Sequence, residues 1–98
     1  MLNNSTLVSI VIPCRNEEKF IGKCLTSVIE NDYPKEKLEI IVVDGVSKDR
    51  TREIVKEFVR KYAFIRLLDN IKKFQVATLN IGIREAKGEI IMRMDIRK

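Results

Sequence analysis

Val8-Ser9-Ile10-Val11-Ile12-Pro13-Cys14-Arg15-Asn16-Glu17 decides the fold. Its first five residues are mostly β-branched and almost continuously apolar, and a proline and a polar cluster follow at once. Continuous rather than alternating hydrophobicity marks a strand covered on both faces, as in a parallel sheet. Pro13 has no N–H to give to a ladder, so the strand is expected to stop there. The pattern recurs in Glu39-Ile40-Ile41-Val42-Val43, which runs into Asp44-Gly45, and in Glu89-Ile90-Ile91-Met92-Arg93-Met94, which runs into Asp95. A weaker run, Phe64-Ile65-Arg66-Leu67-Leu68, lies between them.

Amphipathic stretches separate these runs. From Glu17 to about Asn31, Phe20, Ile21, Cys24, Leu25, Val28 and Ile29 fall on one helical face. From Thr51 to Tyr62, Ile54, Val55, Phe58, Val59 and Tyr62 do the same, and Ser47 and Asp49 are N-cap residue types just ahead of them. A third helix is expected over Val76–Ala86, with Gly88 closing it. Strand and helix alternating without a hairpin signal imply right-handed βαβ units on a parallel sheet. The expected architecture is a three-layer α/β/α unit on a mostly parallel four-stranded sheet, one domain over residues 1–98.

Composition narrows the chemistry. The 98 residues are 45% hydrophobic and 34% charged, too apolar and too evenly mixed for a disordered chain. There is no histidine, which excludes serine triads and His-ligated zinc. The net charge of +5 comes from nineteen basic residues scattered among fourteen acidic ones. That scatter reads as a Lys- and Glu-rich, thermophile-like surface, and no nucleic-acid partner is expected. Cys14 and Cys24 are expected to be reduced core thiols, no apolar run reaches membrane-span length, and a cytoplasmic location is expected.

In open α/β sheets, ligands bind beyond the carboxyl ends of the strands. Each run here ends in polar residues at that place: Pro13 to Glu17, Asp44 to Asp49, and Asp95. Neither a receiver's acidic pair nor a Gly-x-Gly-x-x-Gly fingerprint follows the first strand. The stretch from Val8 to Glu18 instead resembles the opening of the family 2 inverting glycosyltransferases, which have the GT-A nucleotide-diphosphosugar transferase fold. Ile40 to Thr51 resembles their second motif, in the succinoglycan-biosynthesis-like form where Asp-Gly replaces Asp-Asp. Ala77-Thr78-Leu79-Asn80-Ile81-Gly82-Ile83, with Ala86 to Ile91, resembles their third.

The resemblance implies a Rossmann-like, nucleotide-binding half of such an enzyme, with a UDP-type sugar donor as partner. It places Pro13, Arg15 and Glu17 around the nucleoside and diphosphate, and Asp44 as acceptor for the imide N–H of a uracil-like base. It also places Lys73 near the diphosphate and Asp95 as first carboxylate of an Asp-x-Asp site for Mg²⁺ or Mn²⁺. Arg97 stands where the second carboxylate belongs, Gly45 replaces an aspartate, and Val46 and Arg50 replace turn glycines. The metal site is therefore expected to be incomplete, with no metal held by this chain and no catalytic residue within it. The family's acceptor half and general base are expected beyond residue 98, so the chain alone is expected to bind donor without transferring it. A parent enzyme is expected to work in polysaccharide or glycan synthesis, with a station at the inner membrane face open to it. The alternative is an inactive nucleotide-binding or self-associating module, a homodimer that hides an open sheet edge.

Overall fold

The computed structural model describes residues 5–70 and 75–96. In chain order it contains β1 (Val8–Cys14), α1 (Ile21–Ile29), a single 3₁₀ turn (Lys35–Lys37), β2 (Leu38–Asp44), α2 (Thr51–Lys61), β3 (Ile65–Asp69), α3 (Gln75–Glu85) and β4 (Ile90–Arg93). The four strands form one sheet in the order β3-β2-β1-β4, and every neighbouring pair is parallel. The order reverses at β1, so the carboxyl ends of β1 and β4 flank the switch point, and β2 lies on the far side of β1 from it.

The period of two along each strand sorts the core into two faces. Val8, Ile10, Ile12, Leu38, Ile40 and Val42 pack with Ile21, Leu25, Val28 and Val55 from α1 and α2. Val11, Ile41 and Val43 pack on the other face with Leu79, Ile81 and Ala86, from α3 and the residue after it. This is the expected three-layer arrangement. Burying both faces of β1 and β2 is what their nearly continuous apolar runs are for, since an unpaired polar side chain on either face would face a helix rather than water.

Two boundaries and the burial of one strand differ from expectation, each for a local reason. Strand β1 continues through Pro13, which pairs with Val43. The Cys14 carbonyl accepts the Gly45 N–H at 2.9 Å, so Cys14 turns its polar groups toward β2 and Pro13 turns its imide nitrogen the other way. On that side the ladder to β4 has already ended at Val11↔Arg93, and the missing N–H costs no bond. Helix α1 starts at Ile21 rather than Glu17, because residues 17–20 form a preliminary turn in which the Glu17 carbonyl accepts the N–H groups of Phe20 and Ile21. Strand β4 is exposed along its whole length, not buried, because α3 lies over β1 and β2 and no described strand pairs with its outer edge.

A polar cluster fixes the entry to β4. Ser9 is fully buried; its hydroxyl donates to Glu39 Oε1 at 2.7 Å and accepts the Gly88 N–H at 2.8 Å. A Cβ on Gly88 would lie 2.6 Å from Ser9, so only glycine allows this approach.

Among the described residues, two non-glycine residues have left-handed backbones, Asn16 (φ 53°) and Val46 (φ 61°). Asparagine tolerates this region, but a β-branched side chain crowds its own backbone there. Replacing Val46 by glycine is expected to raise stability by about 1 kcal/mol, the relief of strain exceeding the added freedom of the unfolded chain. Denaturant unfolding checks this, and an unchanged or lower midpoint contradicts it.

Candidate functional site

The loops leaving β1 and β2 lie side by side at the carboxyl edge of the sheet, and their own backbone groups are satisfied across the gap between them. The Asn16 N–H donates to Ser47 Oγ at 2.8 Å, and the Lys48 N–H donates back to Asn16 Oδ1 at 2.8 Å. The Glu17 N–H donates to Thr51 Oγ1 at 2.8 Å, and the Glu18 N–H to Asp49 Oδ2 at 3.1 Å. The left-handed turn at Asn16 makes this reciprocal pair reachable by aiming its amide and its side chain at the same loop. Four cross-loop bonds thus join residues about thirty positions apart in sequence into one rim.

Asp49 is the hub on the α2 side. Its Oδ1 accepts the Thr51 N–H at 2.9 Å and the Thr51 hydroxyl at 2.5 Å, so it caps the start of α2 from one residue before the formal N-cap. Desolvation pushes its carboxyl up, but the hydrogen bonds from Thr51 and the Glu18 N–H prevail and hold it below the ordinary value of 3.8. A depressed folded pKa means that this stability is complete above about pH 4 and is lost as pH falls through the lower folded value. In Asp49→Asn, stability is expected to change less between pH 4 and pH 2 than in the native chain. Equal acid dependence in the two, measured by urea unfolding, contradicts this assignment.

Asp44 closes β2 and is fully buried. Its Oδ2 accepts the Ser47 N–H at 2.9 Å and Arg52 Nη1 at 3.3 Å, while its Oδ1 accepts the Ser47 hydroxyl and the Cys14 thiol, the latter at 3.6 Å. Arg52 also pairs with Asp69 at the end of β3, so one guanidinium bridges the carboxylates of two adjacent strand ends. Burial, and after it the Asp44 charge, push the Cys14 thiol far above its usual range. It is a neutral donor here and not a nucleophile.

The other sequence-assigned residues are placed as follows. Pro13 is half-buried, two residues ahead of the rim. Arg15 is exposed, and the stem of its side chain lies at contact distance, 3.5 Å, from where a Cβ on Gly45 would be. Glu17 is half-buried and lines a depression of about 270 Å³ with Asn16, Glu18, Lys19, Phe20 and Asp49. Asp95 is exposed and pairs with Arg93 at 2.9 Å. Lys73 lies outside the described residues. Arg52 and Asp69 belong to the site and escaped the sequence reading, and Asn16, placed in the polar loop after the first strand, was given no role of its own. Asp69 sits at a strand end like the others, and asking the same question of the weaker third strand would have found it.

Whether these residues suit a divalent cation is decided by the donors around Asp95. Mg²⁺ and Mn²⁺ need several oxygen ligands, and among the described residues no group of three acidic or thiol side chains converges on any point. Asp95 offers one carboxylate already engaged by a guanidinium, and Arg97 follows two residues on. The set does not fit the metal.

Residues 9–96 match Glycosyl transferase family 2. The chain belongs to that family. Among similar family 2 proteins, a dolichyl N-acetyl-α-D-glucosaminyl phosphate 3-β-D-2,3-diacetamido-2,3-dideoxy-β-D-glucuronosyltransferase of Methanococcus voltae is 44% identical over 87 residues, 87% of this chain and 27% of that protein. The probable glycosyltransferase YdaM of Bacillus subtilis is 42% identical over 92 residues, 90% of this chain and 22% of that protein. The mannosyltransferase PcManGT from Pyrobaculum calidifontis, solved with GDP-Man and Mn²⁺, superposes with a TM-score of 0.85 at 31% identity, over 92% of this chain and 27% of that one. Staphylococcus aureus TarS with UDP gives 0.80 at 28% identity, again over 92% and 27%. This family 2 chain therefore spans about a quarter of the length of these relatives, and its sheet is that of GT-A enzymes. No helix among its described residues is long and apolar enough to cross a membrane.

Proposed function

We propose that this chain forms the donor-nucleotide part of an inverting glycosyltransferase, one that passes a sugar from a nucleotide diphosphate to a saccharide or lipid-linked acceptor. The interlocked rim at the ends of β1 and β2 carries this reading. It is rigid, polar and beside the switch point, where a nucleotide needs fixed partners. Solved relatives holding UDP and GDP-Man share the fold.

In this reading Arg15 meets the diphosphate, because it is exposed on the rim, as Lys19 and Lys48 also are, and its stem rests on Gly45 at the end of β2. Lys73 adds a second cation. Glu17 takes the ribose hydroxyls from the edge of its depression, with Pro13 setting the loop's exit from the sheet. Asp44 offers its carboxylate to the base N–H in competition with Ser47, which turns away when a base arrives. In the transfer step the acceptor hydroxyl loses its proton to a carboxylate base and attacks the anomeric carbon, and the sugar–phosphate bond breaks with its electrons on the diphosphate. Arg15 stabilises that charge. Asp95, lacking a second carboxylate, carries no metal-dependent step. That lone carboxylate, paired with Arg93, also favours the second reading, a module that binds nucleotide without turning it over.

Calorimetric titration with UDP and GDP, with and without Mn²⁺, tests the proposal. Binding is expected for at least one nucleotide and independent of the metal. Arg15→Ala is expected to weaken it roughly tenfold or more, matching the ~1.5–3 kcal/mol of a hydrogen bond to a charged group. No binding of either nucleotide at millimolar concentration overturns the donor reading, and equal affinity in Arg15→Ala overturns the role of Arg15.

A further inference from the structure

The two left-handed residues of the rim differ in what holds them there. Asn16 donates its N–H to Ser47 Oγ and accepts the Lys48 N–H on its side chain, so cross-loop bonds offset its backbone conformation. Val46 has no polar side chain with which to make such a bond, and its φ of 61° is the more costly because its Cβ is branched. Core packing does not offset it either. Val46 is half-buried, yet it belongs neither to the cluster that packs β1 and β2 on α1 and α2 nor to the cluster under α3. The turn around it is held firmly. The Ser47 N–H closes it onto Asp44 Oδ2 at 2.9 Å, and the Gly45 N–H ties it to the Cys14 carbonyl at 2.9 Å. Strained conformations persist where the surroundings over-determine them, and they gather at ligand clamps.

We propose that Val46 is a donor-contact residue, its isopropyl group packing on the flat face of the nucleobase while Asp44 takes the base N–H. This rests on the donor-nucleotide reading of the rim and adds to it a contact of apolar chemistry. A nucleobase has a polar edge and two apolar faces, and ligand sites combine a few placed polar groups with apolar walls. Asp44, Glu17 and Arg15 supply polar partners for the base edge, the ribose and the diphosphate. Val46 stands two residues past Asp44 in the same closed turn and is the apolar side chain of that turn beside Gly45 and Ser47. Its exposed part is the surface a base would cover. Glycine at this position relaxes the backbone and offers no such surface.

Calorimetric titration of the native chain and of Val46→Gly with UDP and with GDP tests this. For the nucleotide that binds, Val46→Gly is expected to weaken affinity about fivefold or more, the effect of losing a contact that covers the exposed part of a valine side chain. The same change is expected to stabilise the fold, so weaker binding in a more stable chain separates a lost contact from a damaged rim. Equal or tighter binding by Val46→Gly overturns the proposal and leaves the donor reading standing. Contact is read directly in the native complex, which needs no variant to fold. Nuclear Overhauser effects from the Val46 methyl groups to the base protons are expected at saturating nucleotide, and their absence overturns the proposal. A native chain that binds neither nucleotide overturns the donor reading and this contact with it.

Discussion

Replacing Asp44 by alanine is expected to lower the stability of the chain by about 3 kcal/mol, at the low end of the cost of breaking a buried ion pair. The low end applies because Arg52 remains partly exposed and keeps Asp69 when Asp44 is lost. What is lost outright is the acceptor for the Ser47 N–H, the Ser47 hydroxyl and the Cys14 thiol at a fully buried strand end. For a domain of this size, that corresponds to a fall in Tm of roughly 12 °C or more. Asp44→Asn keeps the shape and one acceptor oxygen, and is expected to cost about half as much. Scanning calorimetry checks both, and an Asp44→Ala chain as stable as the native one contradicts the structural role. The consequence for binding studies is direct. Loss of nucleotide affinity in Asp44→Ala does not separate a base contact from a collapsed rim, whereas Arg15→Ala does.

Gly82 carries the second large effect. It faces β1 from α3, and a Cβ there would lie 2.3 Å from Val11 Cγ1 and 3.0 Å from Cγ2. Val11 is fully buried in the middle of the sheet and has no free rotamer to yield into, so the helix must lift. Gly82→Ala gains about 1 kcal/mol of helix propensity, but overpacking of this severity costs up to ~3 kcal/mol, and a net loss near 2 kcal/mol is expected. Shortening Val11 to alanine in the same chain is expected to make the pair less damaging than the sum of the two single changes by at least ~1 kcal/mol. Strict additivity in that cycle, measured by urea unfolding, contradicts direct contact as the cause.

The sequence made the architecture legible where burial is symmetric. Both faces of β1 and β2 are covered, so their runs are apolar apart from the paired Ser9 and Glu39 and the closing Asp44, and they identify a parallel sheet directly. The same reasoning failed for β4, whose Ile90-Ile91-Met92 run has the composition of a buried strand yet lies exposed at the sheet edge. Composition reports that a strand needs cover, not that the described residues supply it. Within the site, Asp44 and Asp49 were visible because carboxylates beside a strand end and a helix start have few other uses. Arg52 was not, because it is the second residue of α2 and reads as an ordinary exposed helix residue, and only the folded chain shows it reaching back across two strand ends. Asn16 was read as part of a polar loop. Its φ of 53° and its two bonds to the neighbouring loop make it the residue that joins the halves of the rim.

The most direct test of the account is a titration of the ¹⁵N-labelled chain with UDP, and separately with GDP, followed by amide chemical shifts. The account predicts that the resonances of Arg15, Asn16, Glu17 and Glu18 move together with those of Gly45 to Asp49, while amides along α2 beyond its first turn stay in place. A well-dispersed spectrum in which neither nucleotide moves those resonances at millimolar concentration, or in which the shifts fall on another face of the sheet, contradicts it.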